Sequence, residues 1–371
     1  VSRVRQIDGL RGFALLGIVL GNVLWFSGYA VDPAPSKDVF GLDAVVTFAQ
    51  HLFIDGKFYA LFSLLFGASF GLMMQRRAWL ARPRLTSLMV LGALHAGFLW
   101  FGDILSLYAV AALPLPRLLR CSDRVLWRWA LALLAGPALL SIALLPLADQ
   151  LDPGTLLYGP SAQLTAFGGD DWAALWHANA AFLRQRWVLA LTSGRLLRLL
   201  GLFVLGALLV RRRPTLTARG RALLVVVALA SNLAYAGLAD VPVLPPSIRG
   251  VLRDAVACVA LPSGALAYAA HLWAPLRDPG RVQDALVHAG RLSLTHYLSQ
   301  SLLLAALFYG VGAGLWGRLG ATTSVAIALV LAGMQVALSG PLRRRFGHGP
   351  GERALRWLDM LSERRRLWPR A

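Results

Sequence analysis

The sequence predicts an all-α, polytopic integral membrane helical bundle of about ten transmembrane helices, with both termini cytoplasmic. Three observations carry that expectation. Apolar runs of more than about 18 residues recur along the chain, long enough to cross a bilayer. Only 15% of the 371 residues are charged and 57% are hydrophobic, whereas soluble domains carry about 25% charged residues. Arginines gather in short segments between the runs, as the positive-inside rule requires. Helices satisfy every backbone polar group in lipid, and runs this continuous exclude the alternation of a β-barrel.

The net charge of +19 would suggest nucleic acid in a soluble protein. Here the arginine clusters are accounted for by orientation in the bilayer, and no nucleic-acid partner is expected. Cys121 and Cys258 form no metal-binding spacing and no disulfide framework. The chain reads as one membrane domain, 1–371.

In order, Arg3 and Arg5 place the start of span one, residues 9–30, in the cytoplasm. The charged start resembles a signal peptide, but it lacks a small-residue cleavage site and many spans follow, so a retained span is expected. A short proline-bearing loop leads to residues 39–51, read as an interfacial or half-inserted helix. Span two, 57–74, ends at Arg76-Arg77. Span three, 85–101, rises from Arg84 to a turn at Gly102-Asp103, and span four, 104–119, returns to Arg117, Arg120, Arg124 and Arg128. Span five is 125–147. The segment 148–195 is a long outside loop whose tryptophan-rich part, 171–187, reads as an interfacial helix. Spans six to ten are 196–210, 222–239, 251–273, 286–309 and 322–338. Residues 340–371 form a cytoplasmic basic tail. Arg184, Arg186, Arg195, Arg198, Arg249 and Arg253 fall on or near the outside against the rule. Translocation of a long loop excuses some, and the others could face an anionic ligand.

Ionisable groups at membrane depth are expensive, and their first reading is functional. His95 lies about 16 Å along the helix from Arg84, near mid-membrane, and Asp103 lies at the far turn. On an unbroken helix the two are about 12 Å apart, too far for a hydrogen bond; a turn at Gly102 would be needed to fold Asp103 back. His95 could be an interhelical hydrogen-bonding group, a general base or an acyl-accepting nucleophile. Asp8 and Arg11 share a helix face three residues apart, as a snorkelling pair or an anchor for an anionic cofactor. Lys57 enters span two from outside, and His51 precedes it. In span nine, Arg291, Thr295 and Ser299 recur at spacing four, with His296 and Gln300 on a neighbouring stripe. Interhelical hydrogen bonding and the lining of a cavity are both open there. No Walker loop, HExxH, GxSxG or CxxC is present, so any catalysis must come from scattered intramembrane groups.

Several of these segments resemble the YeiB-like family of bacterial inner-membrane proteins. They are Asp8-x-x-Arg11-Gly12, Lys57-Phe58 with the LFSLLFG that follows, Gly92-x-x-His95, Gly102-Asp103-Ile104-Leu105-x-x-Tyr108, Gly290-Arg291-x-x-Leu294-Thr295-x-Tyr297-Leu298-x-Gln300-Ser301, Phe308-Tyr309 and Gly349-Pro350-x-Glu352. Their order covers nearly the whole chain, with 120–245 only weakly diagnostic. That family is named for a domain of unknown function and is similar to the transmembrane acyltransferase superfamily. The resemblance implies transfer of an acyl group from cytoplasmic acyl-CoA, chiefly acetyl-CoA, to an extracytoplasmic acceptor such as a sugar or envelope component. No metal is expected, and self-association is left open. In the sugar O-acyltransferases a histidine commonly closes the first span; here the nearest polar residue is Asn22. The catalytic histidine is therefore expected at His95, with His51 second. Arg11, Arg84 and Arg291 would hold the donor's phosphates. Asp103 and Lys57 would meet the acceptor, Tyr297 and Gln300 would stabilise an oxyanion, and Asp8, Thr295 and His51 would support them. The competing expectation is a multi-span transporter or exporter of a small anionic or envelope-related solute, which would use the same buried charges without chemistry.

Overall fold

Apolar side chains point outward from several helices of this protein, the reverse of a soluble core. Leu139, Leu223 and Val330 are each 64% exposed, while Lys57, His95 and Asp103 are buried. Such a surface is stable only against an apolar solvent. The computed structural model describes residues 4–31, 41–148, 164–238 and 243–367, and these form no strands.

Among the described residues, six helical stretches are long and apolar enough to cross a membrane, or seven if one bent pair counts as a span. Helix α1 is Arg5–Phe26. A second stretch, Leu42–Phe98, is 57 residues long, more than twice what a single crossing needs. It divides into α2 (Leu42–Ala49), a π-helical turn (Gln50–Ile54), α3 (Lys57–Arg77) and α4 (Ala81–Phe98). Gly56, at φ +80°, turns the chain between the π turn and α3. Two short helices follow, α5 (Leu105–Ala111) and α6 (Leu115–Leu118). Then come α7 (Asp123–Ala148), α8 (Trp172–Thr192), α9 (Arg195–Arg212), α10 (Ala218–Gly237), α11 (Pro246–Trp273), α12 (Arg281–Arg291), α13 (Ser293–Phe308), α14 (Ala321–Phe346) and α15 (Pro350–Leu367).

The segments expected as spans are helical with three changes, and those long and apolar enough to cross number six or seven among the described residues, against the ten expected. The segment expected as span four is the pair α5 and α6, and α5 at seven residues rises only about 10 Å. The segment expected as span nine breaks at Leu292, φ −108° and ψ 23°, into α12 and α13. The helix expected over 171–187 starts on an Asp171 cap, which accepts from the Ala173 N–H at 2.8 Å. It runs to Thr192 and meets α9 at 66°. Much of the segment 148–195 before it, and part of the helix expected at 39–51, lie outside the described residues.

Helix α1 occupies the centre, against α3, α11, α12, α13 and α14. Its closest neighbour is α12, and glycines set that approach. A Cβ at Gly290 would stand 1.7 Å from the Asp8 carbonyl oxygen, and one at Gly12 would stand 2.0 Å from that of Leu286. Backbone contact of this kind is how helices associate where no hydrophobic force drives them together. The bundle end that carries the arginine clusters is tied across helices. Arg11 donates to Ser69 of α3, and Arg211 of α9 donates to the Leu119 carbonyl at 2.8 Å and pairs with Asp123 at 3.0 Å. The expected tail is a helix laid back on the bundle, with Glu352 accepting from the Leu294 N–H at 2.8 Å and the Thr295 hydroxyl at 2.6 Å.

Gly290→Ala should therefore destabilise the fold by about 1–3 kcal/mol, an apparent Tm loss of roughly 2–12 °C in detergent. Gly97→Ala, where a Cβ would meet nothing within 4 Å, should leave the Tm unchanged. Equal melting of the two variants would remove the glycine contact as the determinant of the α1–α12 crossing.

Candidate functional site

The best-defined buried polar site forms where α4 ends. The chain leaves the helix after Phe98 and doubles back, with the N–H groups of Leu99 and Trp100 both donating to the His95 carbonyl. This turn returns Asp103 to the helix it came from. His95 Nδ1 lies 3.0 Å from Asp103 Oδ1, and neither side chain is exposed. Gly92, one turn before His95, makes the room. A Cβ there would stand 2.7 Å from Asp103 Oδ2 and 2.3 Å from the Ser106 nitrogen.

Asp103 is closely held. Oδ2 accepts from the Ser106 N–H at 2.7 Å and the Ser106 hydroxyl at 2.6 Å, which caps the start of α5. The Tyr297 hydroxyl, from α13, donates to Oδ1 at 3.4 Å and accepts from the Ile104 N–H at 3.1 Å. The Tyr297 ring lies 4.9 Å from the His95 ring. A carboxylate that only accepts requires a proton on His95 Nδ1. In the neutral imidazole the other ring nitrogen, Nε2, then carries a lone pair. It is buried and has no hydrogen-bond partner among the described residues. A neutral imidazole oriented by a carboxylate, with a free lone pair in a buried site, is equipped to take a proton.

Two residues of α8 complete the surroundings. Asn179 accepts from the Phe101 N–H and donates to the Ala96 carbonyl, both at 2.7 Å, and so pins the turn. Arg186 lies within Coulombic range of Asp103 and Tyr297, and its buried Nε has no hydrogen-bond partner among the described residues. Neither was singled out for this site by the sequence, because α8 belongs to the loop with the weakest local pattern. The one available signal was that Arg186 breaks the positive-inside rule.

The other expected site residues fall into separate groups. Lys57 is 1% exposed; it donates to the His51 carbonyl and lies 5.1 Å from the Tyr235 ring centre. His51 pairs with Asp55 at 2.7 Å. Arg291 donates to Asp8 at 2.9 Å, and Arg11 lies 3.7 Å from the same carboxylate. Arg84 instead pairs with Asp359 of α15 at 3.3 Å. Burial pushes the Asp359 carboxyl up, with Arg84 opposing. Thr295 belongs to the Glu352 cap of α13. Gln300 donates to Gln335 at 2.7 Å and ties α13 to α14. The structure thus joins His95, Asp103 and Tyr297, joins Arg11 and Arg291 through Asp8, and keeps Lys57, Arg84, Gln300 and Thr295 with other partners. No group of three or more metal-ligating side chains with the arrangement for an ion is found among the described residues.

Residues 202–362 match a family described as a protein of unknown function, DUF418. The chain is 29% identical to Escherichia coli (strain K12) YeiB over 350 residues, covering 84% of this chain and 85% of that one. It is 24% identical to Bacillus subtilis (strain 168) YxaH over 420 residues, covering 97% and 95%. Both relatives are described as uncharacterized. A Bacillus acidopullulyticus protein encoded in an amylase 3′ region is 36% identical over 120 residues, 30% of this chain and 33% of that one. No solved structure matches.

Asp103→Ala should cost about 3–5 kcal/mol, since it leaves His95, Ser106 and Tyr297 without their buried acceptor. Asp103→Asn keeps one acceptor oxygen and should cost less. Unfolding in mixed micelles reads both; an Asp103→Ala midpoint equal to wild type would mean that the carboxylate does not hold the turn.

Proposed function

The chain belongs to the YeiB-like DUF418 family, and from that premise we propose that it is a membrane acyltransferase. It would move an acyl group from cytoplasmic acyl-CoA to an extracytoplasmic acceptor hydroxyl or amine, such as that of a sugar or envelope component. The observation that carries this reading is the unpartnered, buried Nε2 of His95 beside the carboxylate that fixes its tautomer.

The layout supports a donor side and an acceptor side. We assign a multi-span bundle with both termini in the cytoplasm and residence in the bacterial inner membrane. The basis is the shared basic end formed by the start of α1 and the ends of α3 and α9. There Arg11 and Arg291 gather on Asp8, half-buried, at the place suited to the phosphates of acyl-CoA. In the transfer, Nε2 removes the proton from the acceptor as its oxygen or nitrogen attacks the thioester carbonyl. The carbon–sulfur bond breaks, the acyl group stays on the acceptor, and the proton passes from His95 to the departing CoA thiolate. Asp103 stabilises the transient imidazolium, and Tyr297 orients Asp103. Arg186 supplies positive charge for the oxyanion.

Wild-type protein in membranes should release CoA from labelled acetyl-CoA, and His95→Gln should be slower by about 10²–10⁴-fold. Arg291→Ala should weaken donor binding. Folded protein that binds neither acetyl-CoA nor a longer acyl-CoA at roughly 1 mM, the upper end of ordinary KM values, would sink the proposal and favour transport without chemistry.

A further inference from the structure

Opposite the arginine-rich end, a second concentration of positive charge is built into the bundle. Lys57 and Arg195 are the first residues of α3 and α9, whose other ends carry Arg76, Arg77, Arg211 and Arg212. Helix α3, at 21 residues, separates the two ends by about 31 Å. The side chains meet around two tyrosines. Arg195 stands 5.4 Å over the Tyr59 ring, and Arg253 stands 4.6 Å over the Tyr235 ring that Lys57 also faces. Arg198 pairs with Asp254 at 2.8 Å, and Arg186 lies within Coulombic range of Arg195.

Cations brought together in a bilayer repel one another strongly unless anions balance them. Around these five cations the described carboxylates are three. Asp254 is taken by Arg198 and Ser141, Asp103 by His95, and Asp55 by His51. Among the described residues two positive charges remain. The Nε atoms of Arg186, Arg198 and Arg253 are buried without a hydrogen-bond partner among the described residues. In addition, α3 and α9 both begin on glycines that provide no side-chain cap, Gly56 and Gly194, so two positive helix ends add to the field.

We propose that this end of the bundle, centred between Tyr59 and Tyr235, binds a phosphate monoester. The group carries about −1.5 to −2 charges near pH 7 and several acceptor oxygens. It fits both the uncompensated charge and the unfilled guanidinium donors, which hold phosphate through forked hydrogen bonds. A carboxylate supplies a single charge and leaves half of the excess unbalanced. The assignment goes beyond acyl transfer and does not require it; where both hold, the phosphate anchors the acceptor on the side away from the donor's arginines.

The test uses the full chain purified in detergent, with thermal stabilisation read against concentration at constant ionic strength. The probes are inorganic phosphate, glycerol 3-phosphate and phosphatidic acid in mixed micelles, with acetate and chloride for comparison. Saturable stabilisation by a phosphate probe, absent with acetate and chloride, is expected. Arg253→Gln and Arg195→Gln should each weaken it at least about tenfold, the loss of a charge-assisted hydrogen bond. If Arg253→Gln does not fold, Arg195→Gln decides alone. Stabilisation by glycerol 3-phosphate identifies a water-soluble ester, and stabilisation by phosphatidic acid alone identifies a lipid headgroup; either supports the site. Folded wild type that responds to no phosphate probe, responds equally to acetate, or keeps its affinity in the folded variants overturns it. His95→Gln should bind phosphate like wild type, so loss of acyl transfer and loss of this site are separately visible.

Discussion

A single carboxylate, Asp103, connects three parts of the chain that local sequence does not connect. It holds His95 on α4, the start of α5 through Ser106, and α13 through Tyr297. A charge buried to this degree survives only when its acceptors are filled, and here the turn after α4 exists in the form that fills them. Gly92 leaves space for it, and Asn179 closes it from the far side. The same interaction that pays for burying Asp103 also sets the tautomer of His95. Structure and chemistry at this site are therefore one arrangement.

The charges divide along the bundle axis. One end joins Arg11, Arg291 and Asp8 with the arginines that follow α3 and α9. The other end holds Lys57, Arg195, Arg198 and Arg253 around aromatic rings. Positive charge at the first end is what the proposed membrane orientation would produce. Under the proposed orientation the second end runs against that rule, and the Nε atoms of Arg198 and Arg253 there lack partners among the described residues. This asymmetry gives the second group its interest, because the proposed orientation does not account for it and the described carboxylates do not balance it.

Much of the helical pattern was legible in the sequence, because hydropathy and arginine placement are local properties. Helices α1, α3, α4, α7, α9, α10, α11 and α14 lie where the apolar runs place them. The site was legible in its members rather than its geometry. His95, Asp103 and Tyr297 could be named from their depth and from the family resemblance, but a straight helix separates His95 from Asp103 by about 12 Å, and only the reversal at 99–104 brings them to 3.0 Å. Lys57 shows the opposite failure. The resemblance put it with Asp103 at the acceptor, yet its partners are the His51 carbonyl and Tyr235, through a π-helical turn that no hydrophobic period reveals. Arg186 and Asn179 were missed for this site because a helix as even in polarity as α8 gives no sign of which face is buried.

The unpartnered Nε2 of His95 is the observation on which the proposed proton transfer rests. His296 offers the contrast within the same bundle: its Nε2 meets the Ser339 hydroxyl at 2.7 Å and helps join α13 to α14. A histidine kept only for packing would gain from such a partner, since an unsatisfied buried polar atom costs about 1–3 kcal/mol. At His95 the fold accepts that cost while four donors and acceptors around Asp103 are satisfied with care. An environment that completes one side of an imidazole and leaves the other open is suited to a proton that arrives with a substrate.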